Sequence, residues 1–97
     1  MIRRFRDKTT EAVFHGRTPK GFPANLVPIA RRKLRMVDAA SDLNDLRQVP
    51  GNKLLPLTGR REGQHAMWIN SQFRVCFIWT AEGADDVEIV DYHDERK

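Results

Sequence analysis

At Pro50-Gly51-Asn52 the hydrophobic period of the chain changes from helical steps to strand-like runs. Upstream, Leu26, Ile29, Ala30, Leu34, Val37 and Ala40 recur at three- and four-residue steps and make one apolar helix face. Downstream, Gln64–Ile69, Phe73–Trp79 and Val87–Tyr92 are strand-like, separated by the reversal Asn70-Ser71-Gln72 and the polar turn Ala81–Asp85. Connections this short leave no room for the crossover a parallel pair requires, so these strands must pair antiparallel. The expected fold is α+β, with N-terminal helices packed on a mostly antiparallel sheet of about four to five strands.

The remaining segments read locally. Ile2-Arg3-Arg4-Phe5 alternates and suits a short edge strand. Asp7 is placed to cap a helix over Lys8–His15, and Gly16 to end it. Pro19, Gly21 and Pro23 make the next stretch a loop. Asn25 is the expected cap of the long helix, with Pro28 tolerated in its first turn because amides there have no intrahelical acceptor. Ser41 is the expected cap of a short helix over Asp42–Arg47. Lys53–Leu57 suits a strand that Pro56 confines to an edge or an end, and Gly59–Gly63 a turn.

The 97 residues leave no room for two separate cores, so one domain over residues 1–97 is expected. Cys76 is the only cysteine, which rules out an intrachain disulfide and a thiolate metal cluster. His15 and His65 have no partner at metal-ligand spacing, so no metal is assigned and no cofactor is expected. The two early arginines are followed by no apolar run, and no stretch reaches the length of a membrane span. The cytoplasm is the expected location.

Charge is divided along the chain. Residues 1–61 hold 14 Lys and Arg against 5 Asp and Glu; residues 62–97 hold 3 against 8. The halves therefore carry +9 and −5, which make up the overall +4. A basic front half suits phosphate backbones or an acidic protein surface, while many of its arginines also suit an ordinary solvated helix face.

Arg74 is the most informative residue. It interrupts Phe73–Trp79, a run apolar on both faces, where a charge is costly unless paired or opened onto a cleft. A salt bridge to Asp91 or Glu88 would satisfy it. A phosphate clamp would too, since guanidinium presents a fork to phosphate oxygens. Asp91-Tyr92-His93 sits where the last strand runs out, and histidine exchanges protons near neutral pH. Arg60 and Arg61 form a basic tip in a Gly-flanked turn. Arg31, Arg32 and Arg35 lie largely off the apolar helix stripe. Cys76 reads as a core thiol, and Trp68 and Trp79 as core or sheet-face residues, with stacking on a nucleotide open to an exposed Trp68.

Several stretches line up in one register over nearly the whole chain. They are Ile2–Asp7, Asp45-Leu46 followed by Pro50-Gly51-Asn52, Leu57-Thr58-Gly59 followed by Gly63-Gln64, Ile69-Asn70, Gln72–Phe77, and Val87–His93. In this order they resemble the RelE/ParE toxin superfamily, in particular the HigB-type plasmid maintenance killer proteins. The resemblance implies the RelE/ParE-like fold and a toxin of a type II toxin–antitoxin system that inhibits translation. Its implied activity is a ribosome-dependent mRNA endonuclease, using metal-independent attack by the 2′-hydroxyl of the RNA. The implied partners are the ribosome, mRNA and a helix-turn-helix (HigA-type) antitoxin.

The same resemblance assigns catalytic roles to Arg74, Asp91, Tyr92 and His93. It maps a basic RNA-binding turn residue to Arg60 or Arg61, and Arg31, Arg32 and Arg35 would dock on ribosomal RNA. Trp68 is a departure: many relatives hold an arginine there, and its replacement leaves fewer cations for the phosphate. Two other readings keep the fold and change the action. One is a growth inhibitor that binds DNA gyrase; the other is an RNA-binding module without catalysis.

Overall fold

The computed structural model describes residues 1–92. Three helices come first, α1 (Lys8–Phe14), α2 (Val27–Ala39) and α3 (Leu43–Arg47), then β1 (Leu55–Pro56), β2 (His65–Trp68), β3 (Phe73–Thr80) and β4 (Gly83–Asp91). The strands form one sheet in the order β1-β2-β3-β4, every neighbour antiparallel. This is the α+β arrangement that the change of period implies.

Caps account for half of the helix ends. The Asp7 carboxylate accepts the Thr10 amide at 2.7 Å, and Gly16, at φ +83°, ends the first helix with its amide on the Val13 carbonyl. Two cap expectations are corrected. Asn25 lies inside a single 3-10 turn (Ala24–Leu26) that leads into α2, which starts with no side-chain cap. Asp42, rather than Ser41, caps α3 by accepting the Asp45 amide at 3.0 Å, while the Asp45 carboxylate accepts the Ser41 amide at 2.8 Å. A short carboxylate beside the first free amides outcompetes the preceding hydroxyl in this reciprocal box.

One face of the sheet packs on the helices. Val13 of α1 and Val27, Ala30, Leu34 and Val37 of α2 meet Met67, Val75, Phe77, Ala84 and Val87 in the main core. The α2 stripe also buries Lys33, 7% exposed, whose Nζ donates to Oδ1 of Asn52 at 2.6 Å. Asn52 is fully buried and its Nδ2 donates to the Leu46 carbonyl at 3.0 Å, so this pair ties α2 to the turn after α3. Burial, and secondarily Arg32, lowers the Lys33 pKa.

The N-terminal segment is not a full strand; it makes isolated parallel bridges, Ile2 with Ala84 and Phe5 with Val87. It nonetheless closes the outer edge of β4. The Arg3 and Arg6 amides donate to the Ala84 and Val87 carbonyls, and the Ala84 and Val87 amides donate to the Met1 and Arg4 carbonyls. The next edge amide, that of Ile89, donates to Oγ1 of buried Thr10 at 2.9 Å. An edge with its amides paired no longer offers a template to another chain. The approach is close at Gly83, φ +129°, where a Cβ would stand 2.1 Å from the Met1 carbonyl oxygen. Only glycine fits there.

Candidate functional site

The other face of the sheet carries the polar chemistry. Strand residues alternate sides, so with Met67, Val75 and Val87 in the core, Ala66, Trp68, Arg74, Cys76, Glu88 and Val90 fall on the opposite face. Leu57, Ala66, Cys76 and Val90 form a small buried cluster there, with Tyr92 packed against it. Cys76 is fully buried, as a core thiol should be.

Arg74 stands in register between Trp68 on β2 and Val90 on β4. Its guanidinium carbon lies 4.9 Å from the centre of the Trp68 ring and 4.7 Å from that of Tyr92. Nη1 donates to the carbonyls of Asn70 and Phe73. The half-buried cation is thus oriented by two rings and the β2–β3 turn, contacts that keep its charge. Lys53 adds a second cation, its Nζ 3.8 Å from the centre of the Trp68 ring. Of the carboxylates named as salt-bridge candidates, Glu88 holds Arg61 at 2.9 Å and Asp91 accepts Gln72 Nε2 at 3.0 Å.

Next to this cluster is an open cleft of about 470 Å³ lined by Arg6, Leu57, Thr58, Arg60, Arg61, Gln64 and Tyr92. The turn that supplies Arg60 and Arg61 is a single 3-10 turn, Gly59–Arg61. Arg61 is not a loose tip: Nη1 reaches Gln64 at 3.0 Å and Glu88 at 2.9 Å. Arg60 is exposed.

The expected site residues therefore divide. Arg74 and Tyr92 come together, with Arg60 and Arg61 on the same face beside them. Asp91 shares the end of β4 but, opposite core-packed Phe73, belongs to the other side of the sheet. His93 lies outside the described residues. Arg31, Arg32 and Arg35 belong to α2, in the helix layer. Arg31 serves α1 by donating Nε to the Phe14 carbonyl at 3.1 Å, a favourable place for a cation at a helix C-terminus. Arg32 and Arg35 are exposed.

Reading the residues missed Lys53 and Arg6. Strand alternation pairs Trp68 with Arg74 once the register is known, and a cation next to an indole then follows. Arg6 had no local signal, because the parallel bridging of the N-terminal segment alone brings it to the cleft. Among the described residues, no three His, Cys, Asp or Glu side chains stand where they could share a metal ion. No helix of the described residues is long and apolar enough to cross a membrane.

Residues 3–95 match the family described as RelE-like toxin of type II toxin–antitoxin system HigB. Toxin HigB-1 of Vibrio cholerae is 32% identical over 98 residues, spanning 100% of this chain and 99% of the relative. Endoribonuclease HigB of Proteus vulgaris is 31% identical over 94 residues, 96% of this chain and 100% of the relative. An uncharacterised protein of Haemophilus influenzae is 34% identical over 68 residues, 70% of this chain and 65% of the relative.

Proposed function

The chain belongs to the RelE-like HigB toxin family of type II toxin–antitoxin systems, and from that premise we propose that it is an endoribonuclease cutting mRNA on the ribosome. The observation that carries the reading is the placement of Arg74 between Trp68 and Tyr92, on the sheet face that the helices leave uncovered. The relative from Proteus vulgaris is named an endoribonuclease, which supports the same activity here.

RNA carries its own nucleophile. Attack of the 2′-hydroxyl oxygen on the adjacent phosphorus forms a 2′,3′-cyclic phosphate and breaks the bond to the 5′-oxygen. One proton leaves the 2′-hydroxyl for a base, and another is delivered to the departing 5′-oxygen. Negative charge grows on the phosphate oxygens between these events, and Arg74 is the fixed cation that meets it. Tyr92, held against Arg74, positions the sugar or a base. Proton transfer is assigned to His93, while Asp91, turned to the other side of the sheet, is left out of the step.

A domain of this size has few residues with which to orient a flexible strand. The ribosome supplies that orientation, holding mRNA in an attackable geometry. Exposed Arg32 and Arg35 on α2, with Arg31 beside them, dock on ribosomal RNA. The helix-turn-helix form of the antitoxin and a cytoplasmic site of action belong to the same proposal, translation being the target.

The test is Arg74→Ala, assayed by mapped mRNA 5′ ends on translating ribosomes and by growth. Losing one electrostatic donor should slow cleavage by about 10²–10³-fold and relieve the inhibition. Full cleavage by the variant would refute the assignment. New DNA breaks with intact mRNA in the wild type would instead indicate gyrase poisoning.

A further inference from the structure

The indole of Trp68 draws in two cations. Arg74, its direct partner across β2 and β3, brings its guanidinium carbon to 4.9 Å from the ring centre, and Lys53 brings Nζ to 3.8 Å. Lys53 reaches the ring from a different part of the fold. It follows the 3-10 turn Pro50–Asn52 with its backbone left-handed, at φ +46° and ψ +47°. A residue with a side chain seldom takes that conformation, and keeps it only where its surroundings impose it. Here Asn52, just before it, is fully buried and tied to Lys33 and to the Leu46 carbonyl. Lys53 itself is exposed and makes no salt bridge among the described residues. The indole is therefore the specific seat of its charge.

We propose that Trp68 is a positioning residue that gathers Lys53 beside Arg74, and that Lys53 is a second catalytic cation for the scissile phosphate. The inference rests on the endoribonuclease reading and deepens it. Tryptophan brings no charge of its own to the position where many relatives hold arginine. Its ring face is electron-rich, however, and attracts a cation supplied by a neighbouring segment. Trp68 thus recruits the charge that its own side chain lacks. Two cations drawn to one ring repel each other, and an anion meeting both relieves that repulsion. As the 2′-hydroxyl oxygen attacks, negative charge grows on the phosphate oxygens, so the attraction to both cations is greatest in the transition state. The planar fork of Arg74 suits a pair of oxygens, whereas the ammonium of Lys53 is a compact charge with donors for another.

The experiment is single-turnover cleavage of mRNA on programmed ribosomes, read as the rate at saturating protein and the concentration giving half that rate. Lys53→Gly suits the left-handed backbone, so it keeps the fold and removes the ammonium; the saturated rate should fall roughly tenfold or more. Trp68→Leu should slow the same step, and Trp68→Phe, which restores a ring face, should recover most of the loss. The double variant Trp68→Leu/Lys53→Gly should be no slower than Trp68→Leu, because a residue acting through the lysine has nothing left to position. The half-saturating concentration should stay at the wild-type value throughout. A readout independent of cleavage is the NMR shift of the Lys53 protons next to the amine. It should be upfield in the wild type, from the indole ring current, and return to the ordinary value in Trp68→Leu. An unslowed Lys53→Gly, losses that multiply in the double variant, no recovery in Trp68→Phe, or an ordinary wild-type shift each overturns the proposal. Cleavage that is indifferent to Lys53 removes this inference alone, whereas a wild-type protein that leaves the mRNA uncut removes the nuclease reading itself.

Discussion

His65 lies opposite Phe77 in the sheet and stacks on its ring at 6.3 Å, on the helix side. Its Nδ1 is buried and has no hydrogen-bond partner among the described residues. Burial first, and the nearby Arg47 charge second, lower its pKa from the ordinary 6.5. Below 6.5 the unfolded chain then binds more protons than the folded one. The stability tied to neutral His65 is fully present above 6.5 and is lost as pH falls through the lower folded value. Urea unfolding midpoints should therefore drop between about pH 7 and pH 5 in the wild type. They should drop less in His65→Leu, and an equal drop in both would show that the imidazole is not responsible. Lys33 is a second buried basic group, but its hydrogen bond to Asn52 gives it a partner, so it acts as a brace between α2 and the turn after α3.

Among the elements, β4 carries the most constraint. On its inner side it pairs with β3 through a register shift between Cys76 and Ile78, while its outer edge is closed by the N-terminal segment and by Thr10. Thr10→Val keeps the shape of the side chain and removes the acceptor of the Ile89 amide. The loss should be about 1–3 kcal/mol by chemical denaturation, the cost of stranding a buried donor. Amide exchange at Ile89 should accelerate alongside it. A variant as stable as wild type would mean that water replaces the hydroxyl. Element order, the antiparallel pairing and the edge position of β1 were all legible from period and turn residues, since both act within a few positions. The caps of α2 and α3 were not, because several adjacent polar residues were equally suited to each helix start.

At the scale of the whole molecule, folding rearranges the charge division seen along the chain. Arg3 pairs with Glu82, Arg4 with Asp85 and Asp86, Arg6 with Asp86 and Glu88, and Arg61 with Glu88. Part of the basic half is thereby partnered by the acidic half. Arg32 and Arg35 are left on the helix layer, away from the cleft on the other side of the sheet. These two basic regions should separate experimentally. Arg32→Ala/Arg35→Ala should weaken ribosome cosedimentation and flatten its dependence on salt, with counterion release as the cause. The same variant should bind an isolated single-stranded RNA with methylated 2′-hydroxyls as wild type does. Equal weakening of both would place ribosome and RNA on one surface.

The sequence by itself determined the order of helices and strands, and that the later strands pair antiparallel, because periodicity and turn chemistry are local; it did not determine that the N-terminal segment only bridges or that β4 starts at Gly83, inside the expected turn Ala81–Asp85. It also singled out Arg74, since a lone charge in an otherwise apolar run carries an energetic cost wherever that strand lies. Only the tertiary structure decided which cations gather and which separate. Trp68, Arg74 and Tyr92 meet through strand register, Arg6 joins Arg60 and Arg61 through a parallel bridge, and Arg31, Arg32 and Arg35 remain on the helix layer. Such contacts join residues far apart in the chain, and no pattern within a single segment encodes them.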